Sequence, residues 1–216
     1  MSAPLEAVLF DLDGTLLDSV DLIVASFEHT IAAAGLAPRT RAEILEDFGR
    51  PLLAVLPEWS GQPERTDELI CTYREWNLAH HDQLARPYPG VSEAVAALGD
   101  RGLRLGVVTS KPHDSARRGL RVCGIEARME ALVGCDDLDQ YKPHPAPVLA
   151  GCELLKVSPA RCVYVGDAVV DIQAGRAAGV RTAAALWGVE DDRGLREQRP
   201  DFWLTQPSEL LDLLQG

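Results

Sequence analysis

The stretch that most constrains this chain runs Asp11-Leu12-Asp13-Gly14-Thr15-Leu16-Leu17-Asp18-Ser19, directly behind the apolar run Ala7-Val8-Leu9-Phe10. A short, wholly apolar run ending in a polar turn reads as a parallel strand buried on both faces. Asp11 and Asp13 then stand at the carboxyl end of a strand, where open α/β sheets bind their ligands. Carboxylates two residues apart repel one another unless a cation lies between them or one of them holds a proton. Gly14 lets the chain turn sharply away. Alone, an Asp-x-Asp says little, because Asp is common in turns and caps. The rest of the chain decides its meaning.

Residues 17–86 carry a helical pattern with no convincing strand. Asp18 or Ser19 caps a helix that ends at Gly35, and Thr40-Arg41-Ala42-Glu43 has the form of a capping box. Gly49-Arg50-Pro51 breaks the pattern, and a long helix covers roughly residues 63–85. The cluster Arg86-Pro87-Tyr88-Pro89-Gly90 marks a boundary. Beyond it, strands expected at 105–109, 131–133, 162–165, 182–186 and 202–204 alternate with helices at 92–102, 114–123, 147–155, 171–178 and from 207 onward. This alternation predicts an α/β fold with a doubly wound parallel sheet of Rossmann-like form, with right-handed crossovers placing helices on both faces. The expected division is a core of residues 1–16 and 87–216 and an all-helical segment of residues 17–86, inserted after the first strand where it could cover a site.

Three further polar stations each follow an apolar run. Thr109-Ser110-Lys111 supplies hydroxyls and backbone N–H groups suited to phosphate oxygens. Lys142, in Tyr141-Lys142-Pro143, is one of only three lysines, with Lys111 and Lys156. It offers the compact positive charge that a carboxylate-rich site needs opposite a dianion. Asp167 and Asp171 lie in Gly166-Asp167-Ala168-Val169-Val170-Asp171. Asp167 at a strand end completes a hard oxygen site for Mg²⁺, and Asp171 either supports that site or caps the following helix. A carboxylate such as Asp11 can attack a phosphoryl group, and Asp13 can give and take the protons of the two resulting steps. Arg50, in a break between the helices of residues 17–86, either points down at the substrate's non-reacting end or lies on the surface.

In these stations and their order, the sequence resembles the haloacid dehalogenase superfamily of phosphohydrolases over nearly its whole length. The resemblance implies Asp11 as nucleophile and Asp13 as acid and base, with Asp13 also binding Mg²⁺ through its backbone carbonyl. It further implies that Thr109, with the next backbone amide at Ser110, grips the phosphoryl group, and that Lys142 is the lysine station. The Asp11–Asp13 pair separates this chain from dehalogenating members, which lack the second Asp. It equally separates it from non-hydrolytic phospho-receiver domains, the reading from a different functional class. Residues 17–86, which the resemblance implies are a cap hinged near 16–19 and 86–90, hold no lysine for Schiff-base chemistry, and Ile23 stands where related sugar phosphomutases carry a cap His. The Gly14–Ser19 ending and the linker 86–91 look most like phosphoglycolate phosphatases and related pyrophosphatases. 2-Phosphoglycolate is accordingly the expected substrate, with pyrophosphate or a sugar phosphate as alternatives.

Composition excludes several partners. With 21 basic and 33 acidic residues the formal charge is −12, which opposes nucleic acid and anionic membranes. The five cysteines form no CxxC pair, so neither a disulfide framework nor a zinc site is expected. No basic-then-apolar leader and no apolar run of membrane-spanning length are seen. The expectation is a cytoplasmic enzyme, monomer or homodimer, acting on a small phosphorylated metabolite.

Overall fold

The computed structural model describes residues 4–215. The apolar run Ala7–Phe10 is β1, and every side chain in it is buried. The chain leaves it through a tight turn into β2 (Leu17–Asp18), then forms α1 (Val20–Ala34), α2 (Arg41–Glu46), α3 (Leu52–Ser60) and α4 (Thr66–Leu84) before returning in β3 (Arg86–Pro87). After that come α5 (Val91–Asp100), β4 (Arg104–Val108), α6 (His113–Val122), β5 (Ala131–Val133), α7 (Ala146–Leu154), β6 (Cys162–Gly166), α8 (Val169–Ala178), β7 (Arg181–Ala185), α9 (Arg193–Gln198) and β8 (Phe202–Leu204).

The six-stranded sheet has the order β5-β4-β1-β6-β7-β8, and each of its pairings is parallel. Because strand side chains alternate, Val8 and Phe10 join a core with α5, α6 and the C-terminal segment, while Ala7 and Leu9 join one with α7 and α8. Helices therefore cover both faces, as a doubly wound sheet requires. On the second face α7 approaches β1 over Gly151, where an added Cβ would lie 2.9 Å from Leu9 Cδ1. The strands that end at Phe10, Val108 and Gly166 are neighbours, so the loops carrying Asp11, Thr109 and Asp167 emerge side by side.

The helical segment has its own apolar cluster, including Val24, Phe27, Ile44, Val55, Leu69 and Tyr73. Phe27 packs against both Trp59 and Tyr73, with ring centroids 4.8 and 4.9 Å away. The capping box at Thr40 forms, its backbone N–H donating to Glu43 Oε2 at 2.7 Å. Gly35 closes α1 at φ +67°.

Local expectations differ from the structure in four places. Residues 17–86 do contain strand: Leu17–Asp18 pairs antiparallel with Arg86–Pro87, joining the exit and return of the chain. Two-residue strands leave no periodic signal in a sequence. Ser19 precedes α1 but makes no side-chain cap, because its hydroxyl donates to the Asp13 carboxylate instead. The C-terminal segment Pro207–Gln215 is a 3₁₀ helix, not an α-helix. Its buried Leu210 and Leu213 are three residues apart, the spacing that 3.0 residues per turn stacks on one face. Finally, the polar run at α9 showed no apolar period, and only Leu195 in it is buried.

Among the described residues, no helix is long and apolar enough to cross a membrane.

Candidate active site

The turn after β1 is built on the Leu12 carbonyl, which accepts from the backbone N–H groups of Leu16 and Leu17 at 2.9 and 2.8 Å. Leu12, Leu16 and Leu17 are fully buried beneath it, so apolar burial pins the loop while its aspartates face the site. Gly14 adopts φ +78°, and a Cβ there would lie 2.1 Å from Asp167 Oδ2. Only glycine satisfies both conditions. Gly14→Ala should therefore lower the melting temperature and displace Asp167, costing about 1–3 kcal/mol from backbone strain alone. An unchanged melting temperature with full activity would contradict this placement.

Asp11, Thr109, Lys142, Asp167 and Asp171 are all buried. Lys142 Nζ lies 3.1 Å from Asp11 Oδ1 and 2.6 Å from Asp171 Oδ1. It also donates to the Tyr164 hydroxyl at 3.2 Å. That hydroxyl in turn lies 2.9 Å from the Val108 carbonyl and 3.1 Å from Asp171 Oδ1. Burial would lower the pKa of Lys142, but Asp11 and Asp171 outweigh it and hold the ammonium charged. Asp171 both fixes this lysine and accepts the Ala168 N–H at 3.0 Å. Asp171 thus caps α8 and fixes Lys142 with one carboxylate.

Asp13 turns the other way. Its Oδ1 accepts from Lys111 Nζ at 2.5 Å and from the Ser19 hydroxyl. Asp11 and Asp13 both line one cavity of about 100 Å³ beneath α4 and the α2–α3 loop. Thr109, Ser110 and Arg50 border the same space. The Ser110 hydroxyl donates to the Gly49 carbonyl at 2.7 Å, tying the loop after β4 to the helical segment. Arg50 reaches the cavity with its guanidinium already shared between Asp47 and Glu58, the latter at 2.8 Å.

Burial pushes the Asp11 carboxyl up to about 7; Lys142 opposes this, while Asp171 and Asp13 add to it. Burial likewise raises Asp167 well above the usual carboxylate range, reinforced by Asp171 and Asp11 and opposed by Thr15, whose hydroxyl donates to Asp167 Oδ1 at 2.6 Å. Oxygens of Asp11, Asp167 and Asp171 all lie within 4.8 Å of one another. The buried Asp11 Oδ1 has the Lys142 ammonium at 3.1 Å as its ion-pair partner and no other polar partner among the described residues. Three buried carboxylates facing one ammonium leave negative charge that is costly without a further cation. The donor set, all hard oxygen, fits Mg²⁺. The expected ligands are the carboxylates of Asp11 and Asp167 and the backbone carbonyl of Asp13. The carboxylate that clusters with Asp11 and Asp167 is Asp171, while that of Asp13 is engaged by Lys111 and Ser19.

Thr15, Ser19 and Tyr164 have no assigned role at the site in the sequence reading, and Lys111 enters it only as part of the Thr109–Lys111 station. Tyr164 carried the one available signal, since a Tyr inside an otherwise apolar strand must find a polar partner for its hydroxyl.

The model of the haloacid dehalogenase-like hydrolase family matches residues 8–185. The chain belongs to this family. Pyrophosphatase PpaX of Bacillus pumilus is 39% identical to it over 210 residues, covering 97% of this chain and 96% of that one. Among solved structures of haloacid dehalogenase-like proteins and other hydrolases, a predicted phosphoglycolate phosphatase from Haemophilus somnus 129pt is 25% identical with a TM-score of 0.82, covering 97% of each chain. A hydrolase from Pseudomonas syringae is also 25% identical, with a TM-score of 0.87, over 97% of this chain and 98% of that one. The Rossmann-like core and the enzyme class expected from the sequence are those of this haloacid dehalogenase-like family.

Proposed function

We propose that this chain is a cytoplasmic, Mg²⁺-dependent phosphohydrolase of small substrates, acting through an aspartyl phosphate on Asp11, with pyrophosphate ahead of 2-phosphoglycolate. The observation that carries the reading is Asp11 itself: a buried carboxylate held 3.1 Å from the Lys142 ammonium and facing the cavity that Asp13 and Thr109 also line. Residues 17–86 act as the cap over a core of 1–16 and 87–216.

Asp11 attacks the phosphorus, and the bond from phosphorus to the leaving oxygen breaks. Asp13, oriented by Ser19 and Lys111, gives its proton to that oxygen. Thr109 and the backbone amide of Ser110 hold the phosphoryl oxygens. Asp13 then takes a proton from water as that water attacks the phosphorus, releasing inorganic phosphate and restoring the Asp11 carboxylate. Lys142, anchored by Asp171, keeps a positive charge beside Asp11 throughout. Mg²⁺ held by Asp11, Asp167 and the Asp13 backbone carbonyl would neutralise the repulsion between these carboxylates and an anionic substrate.

The order of substrates rests on two supports. The pyrophosphatase relative is 39% identical, against 28% and 25% for two structures named as phosphoglycolate phosphatases. A cavity of about 100 Å³ also favours a compact substrate over hexose phosphates, since small-molecule sites commonly span about 300–1,000 Å³. Initial rates on pyrophosphate, 2-phosphoglycolate and hexose phosphates, with Mg²⁺ and with excess EDTA, test the reading. Pyrophosphate should be turned over fastest and EDTA should abolish the rate. Full activity in EDTA, or a preference for hexose phosphates, would overturn it.

A further inference from the structure

Three cationic side chains line the cavity: Arg50, Arg74 and Lys111. Two are already neutralised. Arg50 is shared by Asp47 and Glu58, with Asp47 itself fixed by Trp59 Nε1 at 2.8 Å. Lys111 is paired with Asp13. Arg74, on α4, makes no ion pair or hydrogen bond among the described residues. Its field nevertheless crosses the cavity, for it acts on Cys135 in the loop beyond β5, another wall of the same space. Asp11 and Asp13 line the same cavity. Of the cavity's cations, Arg74 alone has no carboxylate partner among the described residues, and it comes from the helical segment.

We propose that Arg74 determines substrate preference by binding a second anionic group, the distal phosphate of pyrophosphate or the carboxylate of phosphoglycolate, while the reacting phosphoryl group sits at Asp11. This rests on the phosphohydrolase reading above. A planar guanidinium suits both groups, since each presents two oxygens for parallel N–H donation. Arg50 cannot form such a pair without giving up a carboxylate it already holds. The site therefore favours substrates with two anionic ends, and an aryl phosphate lacks the second end.

The test measures kcat/KM of the Mg²⁺-loaded protein on pyrophosphate, 2-phosphoglycolate and p-nitrophenyl phosphate for the native chain and for Arg74→Ala, Arg74→Lys and Arg50→Ala. Arg74→Ala should lose about 10- to 100-fold on the two doubly anionic substrates, the worth of a charge-assisted hydrogen bond, and far less on the aryl phosphate. Arg74→Lys should recover part of the loss. A melting curve for each variant separates misfolding from altered recognition, and with Arg74 at the surface its variants should fold. Equal losses on all three substrates, no loss on any, or a selective loss in Arg50→Ala instead would each overturn the assignment. Failure of the native protein to hydrolyse any of the three would instead overturn the phosphohydrolase reading, so the two failures are told apart by which protein shows them.

Discussion

Asp11→Asn protein mixed with substrate and Mg²⁺ should carry no covalent phosphate by intact mass, while Asp13→Asn protein should accumulate one. An amide is a poor nucleophile, so replacing Asp11 removes the first bond-forming step altogether. Asp13→Asn leaves Asp11 and its neighbour Lys142 in place, together with the backbone carbonyl at position 13. What it removes is proton transfer, worth about 10²–10⁴-fold in rate. With an aryl phosphate, whose leaving oxygen needs little protonation, the first step persists. Attack by water on the aspartyl phosphate still lacks a base, and the adduct builds up. It should survive acid and be lost in mild base, as an acyl phosphate is. Label on Asp11→Asn, or rapid full turnover by Asp13→Asn, would show that the two roles are assigned the wrong way round. Lys111 loses its ion pair in the second variant, so melting curves of both proteins must accompany the mass spectra.

What could be read in advance follows from how far each signal extends along the chain. Asp11, Thr109 and Asp167 were legible because each directly follows an apolar run, and parallel strands bring such positions together whatever lies between them. The doubly wound sheet was legible for the same reason. Side-chain partners were not, because they join residues from unrelated segments: Thr15 with Asp167, Ser19 with Asp13, Tyr164 with Lys142. Ser110 and Arg50 show the limit of reading single residues. Both border the cavity, yet the hydroxyl of one holds the Gly49 carbonyl and the charge of the other is shared by two carboxylates. Nothing in a linear sequence distinguishes Arg50 from Arg74. Only the positions of Asp47 and Glu58 do that, together with the face of α4 from which Arg74 projects.

Lys142→Met should be the most damaging change outside the two aspartates, and its damage should depend on pH in a direction that the burial of Asp11 sets. The lysine side chain is 2% exposed, and those of Asp11 and Asp171 are 4% and 0% exposed. Methionine fills similar volume but leaves these carboxylates without their cation. Removing one partner of such a buried group costs about 3–5 kcal/mol. In a chain of this size each kcal/mol moves the melting temperature by about 2–4 °C, so a fall of roughly 10 °C is expected at pH 8 in chelator. Even with Lys142 present, the folded Asp11 carboxyl is raised by burial from 3.8 to about 7. Between those values the native state binds more protons than the unfolded one, so stability falls as pH rises. Its contribution is complete below the unfolded pKa and lost as pH passes about 7. Without Lys142, which pulls the Asp11 pKa down, that loss grows and extends to higher pH. The gap between native and Lys142→Met melting temperatures should therefore be wide at pH 8 and narrower at pH 5. A gap of the same size at both pH values would mean that the lysine matters through packing alone. No gap at pH 8 would mean that the charge of the buried carboxylates is relieved by something other than Lys142.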